Sequence, residues 1–151
     1  MISILLVDDH TYIRRGIRSL IDTTADMEVV ATASNGIEAV AKARLFPLDI
    51  VIMDISMPFM DGLEAINHIR EVCPQTRILT LSIYDHPAYI QGALQAGARG
   101  YILKDALGDE LLDAIHALHN GERYFSQKVA SYIYPSIDSD PSLGVMAWRG
   151  K

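Results

Sequence analysis

Short apolar runs alternate with amphipathic stretches along the chain. Ile2 to Val7 is a β-type apolar run that stops at Asp8-Asp9-His10. From Thr11 the spacing changes: Ile13, Ile17, Leu20 and Ile21 fall on one helical face, with Arg14, Arg15 and Arg18 largely opposite. Met27 to Ala33 (MEVVATA) reads as a second strand. Asn35-Gly36 opens a helix carrying Ile37, Val40, Ala41 and Leu45, which must stop before Pro47 because the residue ahead of a proline disfavours helical geometry. Leu48 to Met53, broken only at Asp49, is the third run and ends in Asp54, with Pro58 and Gly62 following. A helix from about Gly62 places Leu63, Ile66 and Ile69 at helical spacing, and Pro74 bars it from continuing. Arg77 to Leu81 predicts a fourth strand ending at Ser82. Pro87 suits the first turn of the next helix and Gly97 its C-terminal cap. Gly100 to Leu103 is a short fifth strand ending at Lys104, and Asp109 to His119 a fifth helix capped by Gly121.

Five strands alternating with five helices through short connections predict an α/β fold. A flavodoxin-like, doubly wound parallel sheet of order 2-1-3-4-5, with helices on both faces and right-handed crossovers, is the common small version. The pattern weakens after Gly121. Residues 122–135 are expected to hold one short helix, capped by Ser126, with Val129, Ala130 and Ile133 as its apolar side and Pro135 as its stop. Residues 136–151 are rich in Ser, Asp, Pro and Gly, lack periodicity, and contain the lone Trp148; an irregular tail is expected. No internal repeat is visible.

The polar residues fall at the ends of the apolar runs. In a parallel sheet, Asp8-Asp9, Asp54, Ser82 and Lys104 share one edge, and the switch point lies between the acid pair and Asp54. Each like-charge carboxylate pair at ~4 Å costs roughly 4 kcal/mol at an effective dielectric of 20. Lys104 offsets one charge, leaving about two negative charges that a divalent cation balances; all-oxygen ligation favours Mg²⁺ over zinc. Asp54 is then the candidate nucleophile for a phosphoryl group, whose equatorial oxygens would meet the metal, the Lys104 ammonium and the Ser82 hydroxyl.

Composition narrows the classes. Half of the 151 residues are hydrophobic and 21% charged, so one folded domain is expected and disorder is not. The apolar runs are far shorter than the ~20 residues that span a bilayer, and no basic segment precedes MISILLV as in a signal peptide. With 13 basic against 19 acidic residues, the net charge of −6 argues against this chain binding nucleic acid by itself. The three arginines after Thr11 read as a solvated helix face. Cys73 is alone, which excludes an internal disulfide and suits a reducing, cytoplasmic setting. His116 and His119 sit three apart without an evident acid partner and read as solvent-exposed.

Four motifs in order, VDDH at 7–10, MDISMPFMDG at 53–62, LTLS at 79–82 and GYILK at 100–104, resemble the receiver domain of two-component response regulators across about residues 2 to 121. The resemblance makes residues 1–121 a receiver domain. It implies Asp54 as phosphoacceptor, with Asp8, Asp9, Asp54 and the backbone carbonyl of Ser56 holding Mg²⁺. Ser82 takes the place of the switch hydroxyl, Tyr101 that of the switch aromatic and Lys104 that of the phosphate-contacting lysine. Ser56 and Tyr84 fall where the family tunes the lifetime of the phosphate. A tyrosine in a short strand also packs, so Tyr101 reads either as switch or as filler. Modification would draw Ser82 inward, with Tyr101 following into the vacated space. Asp105 after Lys104 resembles the NarL/LuxR branch, whose members usually carry a C-terminal helix-turn-helix domain. Thirty residues beyond Gly121 are too few for it, so the reading is either the N-terminal part of such a transcription regulator or a stand-alone receiver.

The implied partners are a sensor histidine kinase and, through a helical face, a second copy of the chain. Three other readings share the rim: an aspartate-nucleophile phosphatase, a flavodoxin-like nucleotide binder, and a receiver signalling by contact alone. The first uses a D-x-D pair after the first strand, whereas Asp8 and Asp9 are adjacent and Asp54 lies on the third.

Overall fold

The computed structural model describes residues 1–57 and 60–133. Strands β1 (Ile2–Val7), β2 (Met27–Ala33), β3 (Ile50–Asp54), β4 (Arg77–Ser82) and β5 (Gly100–Leu103) alternate with helices α1 (Thr11–Asp22), α2 (Gly36–Leu45), α3 (Gly62–Val72), α4 (Pro87–Ala96) and α5 (Leu107–His119). A two-residue strand β6 (Tyr124–Phe125) and helix α6 (Gln127–Ile133) follow. All pairings are parallel, in the order β2-β1-β3-β4-β5-β6.

Period two splits each strand between two cores. On β3, Val51 and Met53 pack with Ala39 and Ala43 of α2, Ile66 and Ile69 of α3, and Ile90 and Ala93 of α4. Ile50 and Ile52 pack on the other face with Ile17 and Ile21 of α1 and Leu111, Ile115 and Leu118 of α5. Every residue of β3 is buried, which is why it reads as an unbroken apolar run.

The five expected strands pair in the expected order, with a short sixth added beyond β5. Tyr124 N–H donates to the Arg99 carbonyl (3.3 Å) and Ser126 N–H to the Tyr101 carbonyl (3.1 Å), so β6 covers an edge that β5 would otherwise expose. Three other expectations need correction. The fifth helix begins at Leu107, after a 3₁₀ turn over Lys104–Ala106, rather than at Asp109. On α2 the buried positions are Gly36, Ala39 and Ala43, whereas Ile37 and Leu45 are exposed. Small residues let this helix lie close to the sheet, and the bulky apolar ones flank the contact. Ser126 precedes α6, and its carbonyl accepts from Ala130 N–H (2.8 Å). Its hydroxyl does not cap the helix: it donates to Glu110 Oε1 (2.5 Å) and accepts from Leu103 N–H (3.2 Å).

Val129 and Ala130 of α6 are buried as expected. Tyr134, Pro135 and the tail 136–151 with Trp148 lie outside the described residues. Among the described residues no helix is long and apolar enough to cross a membrane.

The loop after β3 is held close to the strand end. Gly62 N–H donates to the Ile55 carbonyl (3.2 Å), and a Cβ on Gly62 would stand 2.3 Å from the Asp54 carbonyl oxygen. Backbone is the obstacle, so Gly62→Ala is expected to destabilise by about 1–3 kcal/mol. Gly16→Ala, on a helix position with nothing within 4 Å of the added carbon, should instead stabilise by about 0.5–1 kcal/mol. Urea unfolding of both variants checks the contrast. Ser126→Ala leaves the buried Leu103 N–H without its acceptor and should cost about 1–3 kcal/mol in the same assay.

Candidate functional site

Sheet register brings the strand ends together. Val7 is level with Met53 and Asp54 with Leu81, while Ser82 is level with Leu103. Asp8, Asp54 and Lys104 therefore emerge along one edge. Asp8 is 0% and Asp54 2% exposed. The Lys104 ammonium lies 3.0 Å from Asp8 Oδ2 and 3.3 Å from Asp54 Oδ2, with a well-aligned hydrogen bond only to Asp54. Asp8 Oδ1 accepts from His10 N–H (2.8 Å), and Asp54 Oδ1 from Ser56 N–H (3.2 Å).

One potential ligand atom from each of Asp8, Asp9, His10 and Asp54 lies within 4.8 Å of all the others. Asp8 Oδ2 and Asp9 Oδ1 are buried without a hydrogen-bond partner. Buried carboxylate oxygens in that condition fit a hard divalent cation, whose preferred donors are oxygens.

The carboxyl of Asp54 is pushed up to about 6, first by burial and then by the neighbouring Asp8 charge; Lys104 and the Ser56 N–H pull the other way. Burial works against the Lys104 ammonium, yet the nearby carboxylates of Asp54 and Asp8 outweigh it and raise its pKa. The cluster thus keeps its cation charged and makes its central carboxylate costly to ionise.

Ser82, at the end of β4 and 1% exposed, accepts from Tyr84 N–H through Oγ (2.8 Å). Tyr101 is fully buried on β5, and its hydroxyl donates to the Tyr84 carbonyl (2.6 Å). The inward travel expected of Tyr101 therefore has no outward starting point here. The Tyr84 ring stacks on Tyr89 (4.4 Å between centroids), and Asp85 pairs with Lys128 of α6 (3.1 Å). The segment after Ser82 is thus tied to β5, α4 and α6.

One partner escaped the sequence reading. Arg14, assigned to a solvated face, donates to the Asp8 carbonyl (2.5 Å); a helix-face pattern cannot register a side chain that folds back over the preceding loop. His10, whose place beside the acid pair already put it within reach of the site, has Nδ1 3.1 Å from both Asp8 Oδ1 and Asp9 Oδ1. Away from the site, His116 does have an acid partner: Nε2 is 2.8 Å from Asp26 Oδ2, contributed by the turn before β2.

Residues 4–116 match the family model for the response regulator receiver domain. The chain is 40% identical over 129 residues to the oxygen regulatory protein NreC of Staphylococcus aureus, covering 85% of this chain and 59% of NreC. It thus spans about three fifths of the length of that relative. Among solved structures, a LuxR-family two-component response regulator from Aurantimonas sp. SI85-9A1 superposes with TM-score 0.84 at 38% identity, covering 90% of this chain and 97% of that one. The response regulator domain of Thermotoga maritima CheB gives 0.75 at 34% identity, covering 80% and 97%. The family match, the parallel sheet and the LuxR-family likeness agree: this chain belongs to the response regulator receiver domains, of the LuxR type.

Proposed function

We propose that Asp54 accepts a phosphoryl group from a phosphohistidine on a sensor histidine kinase. An Asp54 oxygen attacks phosphorus, the bond from phosphorus to the histidine nitrogen breaks, and that nitrogen takes up a proton. Asp8, Asp9, Asp54 and the Ser56 carbonyl would hold Mg²⁺, which when bound supplies positive charge opposite the transferring oxygens. Lys104 neutralises a further oxygen. The observation that carries this reading is one ammonium spanning Asp8 and Asp54 while Asp8 Oδ2 and Asp9 Oδ1 lack hydrogen bonds.

The new acyl phosphate offers the Ser82 O–H an acceptor, and turning toward it would carry Oγ away from the Tyr84 N–H it now accepts from. Movement of Ser82 would pull on Tyr84, and with it on Tyr101, Tyr89 and α6 through Asp85 and Lys128. The face of α4, β5 and α5 is the expected readout, as a shift between two populations. Residues 1–121 act as the phosphorylated unit, and β6 and α6 carry the chain away from it. In the longer regulators that this chain resembles, the output would be transcription, with a second copy of the chain as partner; the setting is the cytoplasm. Loss of the phosphoryl group to water would be self-catalysed at the same pocket.

Acetyl phosphate with Mg²⁺ is expected to add one phosphoryl group by intact mass, and Asp54→Ala to abolish it; equal labelling of that variant refutes the assignment. Lys104→Ala should slow phosphorylation by about 10²-fold, the order seen on removing one charge-stabilising donor, with the rate followed by the same mass measurement.

A pH dependence follows from the raised carboxyl. Between about 4 and about 6 the folded protein holds a proton on Asp54 that the unfolded chain has lost. In metal-free buffer this group therefore makes stability fall as pH rises through that window and level off above it, by at most about 3 kcal/mol. Asp54→Asn should remove that fall. Parallel stability curves for the two proteins across the window, measured by urea unfolding, would contradict the burial argument.

A further inference from the structure

The opposite edge of the sheet carries a second charged cluster that phosphoryl transfer does not use. Arg77 begins β4, Arg99 immediately precedes β5, and Arg70 lies in the last turn of α3. The three line a single polar cleft of about 510 Å³, together with Asp49, Gln75 and Gly97. Against Gly97, at the left-handed cap of α4, lies the Arg70 guanidinium: a Cβ there would stand 2.0 Å from its Nη1.

Among the described residues none of these three guanidinium groups forms an ion pair. The one carboxylate in the lining, Asp49, uses Oδ2 to accept from Ser3 N–H (2.9 Å). Arg77 donates one bond to the His119 carbonyl (3.2 Å), and Arg99 one to the Gly121 carbonyl (3.1 Å). Those bonds hold the side chains against the end of α5. A guanidinium has five N–H donors and stays charged at any ordinary pH. Arg99 Nε is buried without an acceptor. On a chain of net charge −6, three arginines lining one cleft with a single carboxylate leave N–H donors that an outside anion can take up.

We propose that this cleft binds a phosphate-bearing small molecule. Guanidinium forks match phosphate oxygens in pairs, and three of them suit a ligand with more than one anionic oxygen face, such as a diphosphate group. The volume lies within the range of pockets that hold small ligands, roughly 300–1,000 Å³. The cleft sits where β4 and β5 begin, whereas Ser82 and Lys104 stand where those strands end, so the two sites do not share a residue.

Binding of inorganic pyrophosphate tests this, by calorimetry and thermal shift on the full chain in EDTA at constant ionic strength. Saturable binding with a rise in melting temperature is expected for the wild-type protein, for Asp54→Asn, and for Arg15→Gln on the exposed face of α1. Arg99→Gln and Arg77→Gln should bind at least tenfold more weakly. Arg70→Gln, at an exposed position outside the α5 contact, gives the same reading should either of those fail to fold. Adenosine triphosphate is the second probe: equal affinity assigns the site to a bare phosphate group, and tighter binding assigns it to a nucleotide. A shift reproduced by chloride at equal ionic strength, or pyrophosphate binding unchanged in the arginine variants, overturns the proposal. So does binding lost in Asp54→Asn.

Discussion

One cation holds two buried carboxylates. Asp8 and Asp54 leave neighbouring strands almost without solvent, and water cannot screen their repulsion. Lys104 reaches both because β5 runs parallel to β4 and ends level with it. The arrangement is underneutralised even so. Two acids in contact with one ammonium leave negative charge behind; burial first, and then the Asp8 charge, raise the Asp54 pKa, and Asp9 adds a further carboxylate oxygen whose neighbour is the His10 ring, 3.1 Å away. A site that stores unmet electrostatic demand is suited to take up a divalent cation and then a phosphoryl group.

That constraint explains which parts of the molecule could be read from the sequence. Apolar runs that end abruptly in Asp, Ser or Lys mark strand termini on one edge, and for Asp8, Asp54, Ser82 and Lys104 the run and its polar stop lie side by side in the chain. The bulk of the fold followed from the same signal, since a strand buried on both faces needs no partner information to be recognised. What escaped depends on contacts distant in sequence. Two residues, Tyr124 and Phe125, are too few to show a period, and their pairing with Gly100 and Tyr101 is set by the tertiary fold. The α2 face was misjudged because hydrophobic bulk was taken as the guide to burial. Close approach selected Ala39 and Ala43 instead, leaving Ile37 outside. Ser126 was placed correctly at the start of α6, but its hydroxyl serves Leu103 and Glu110 from neighbouring elements.

The segment after Ser82 shows why such a site can act as a switch rather than a rigid pocket. Its arrangement rests on the Tyr84 N–H bond to Ser82, the Tyr101 hydroxyl bond to the Tyr84 carbonyl, one ring stack and one exposed ion pair. Each neutral hydrogen bond contributes about 0.5–1.5 kcal/mol, an exposed pair at most about 1, and an aromatic stack about as much. A hydrogen bond from Ser82 to a charged phosphoryl oxygen is worth about 1.5–3 kcal/mol. The incoming interaction is therefore of the same size as the contacts it must displace, and comparable terms are what permit two populated arrangements. Were the segment buried as deeply as β3, a single phosphate could not move it. Because α6 joins the segment through Lys128 and joins β5 through Ser126, any displacement of Ser82 reaches the end of the described chain by two routes. One of them, Asp85 with Lys128, is exposed and weak enough to yield first.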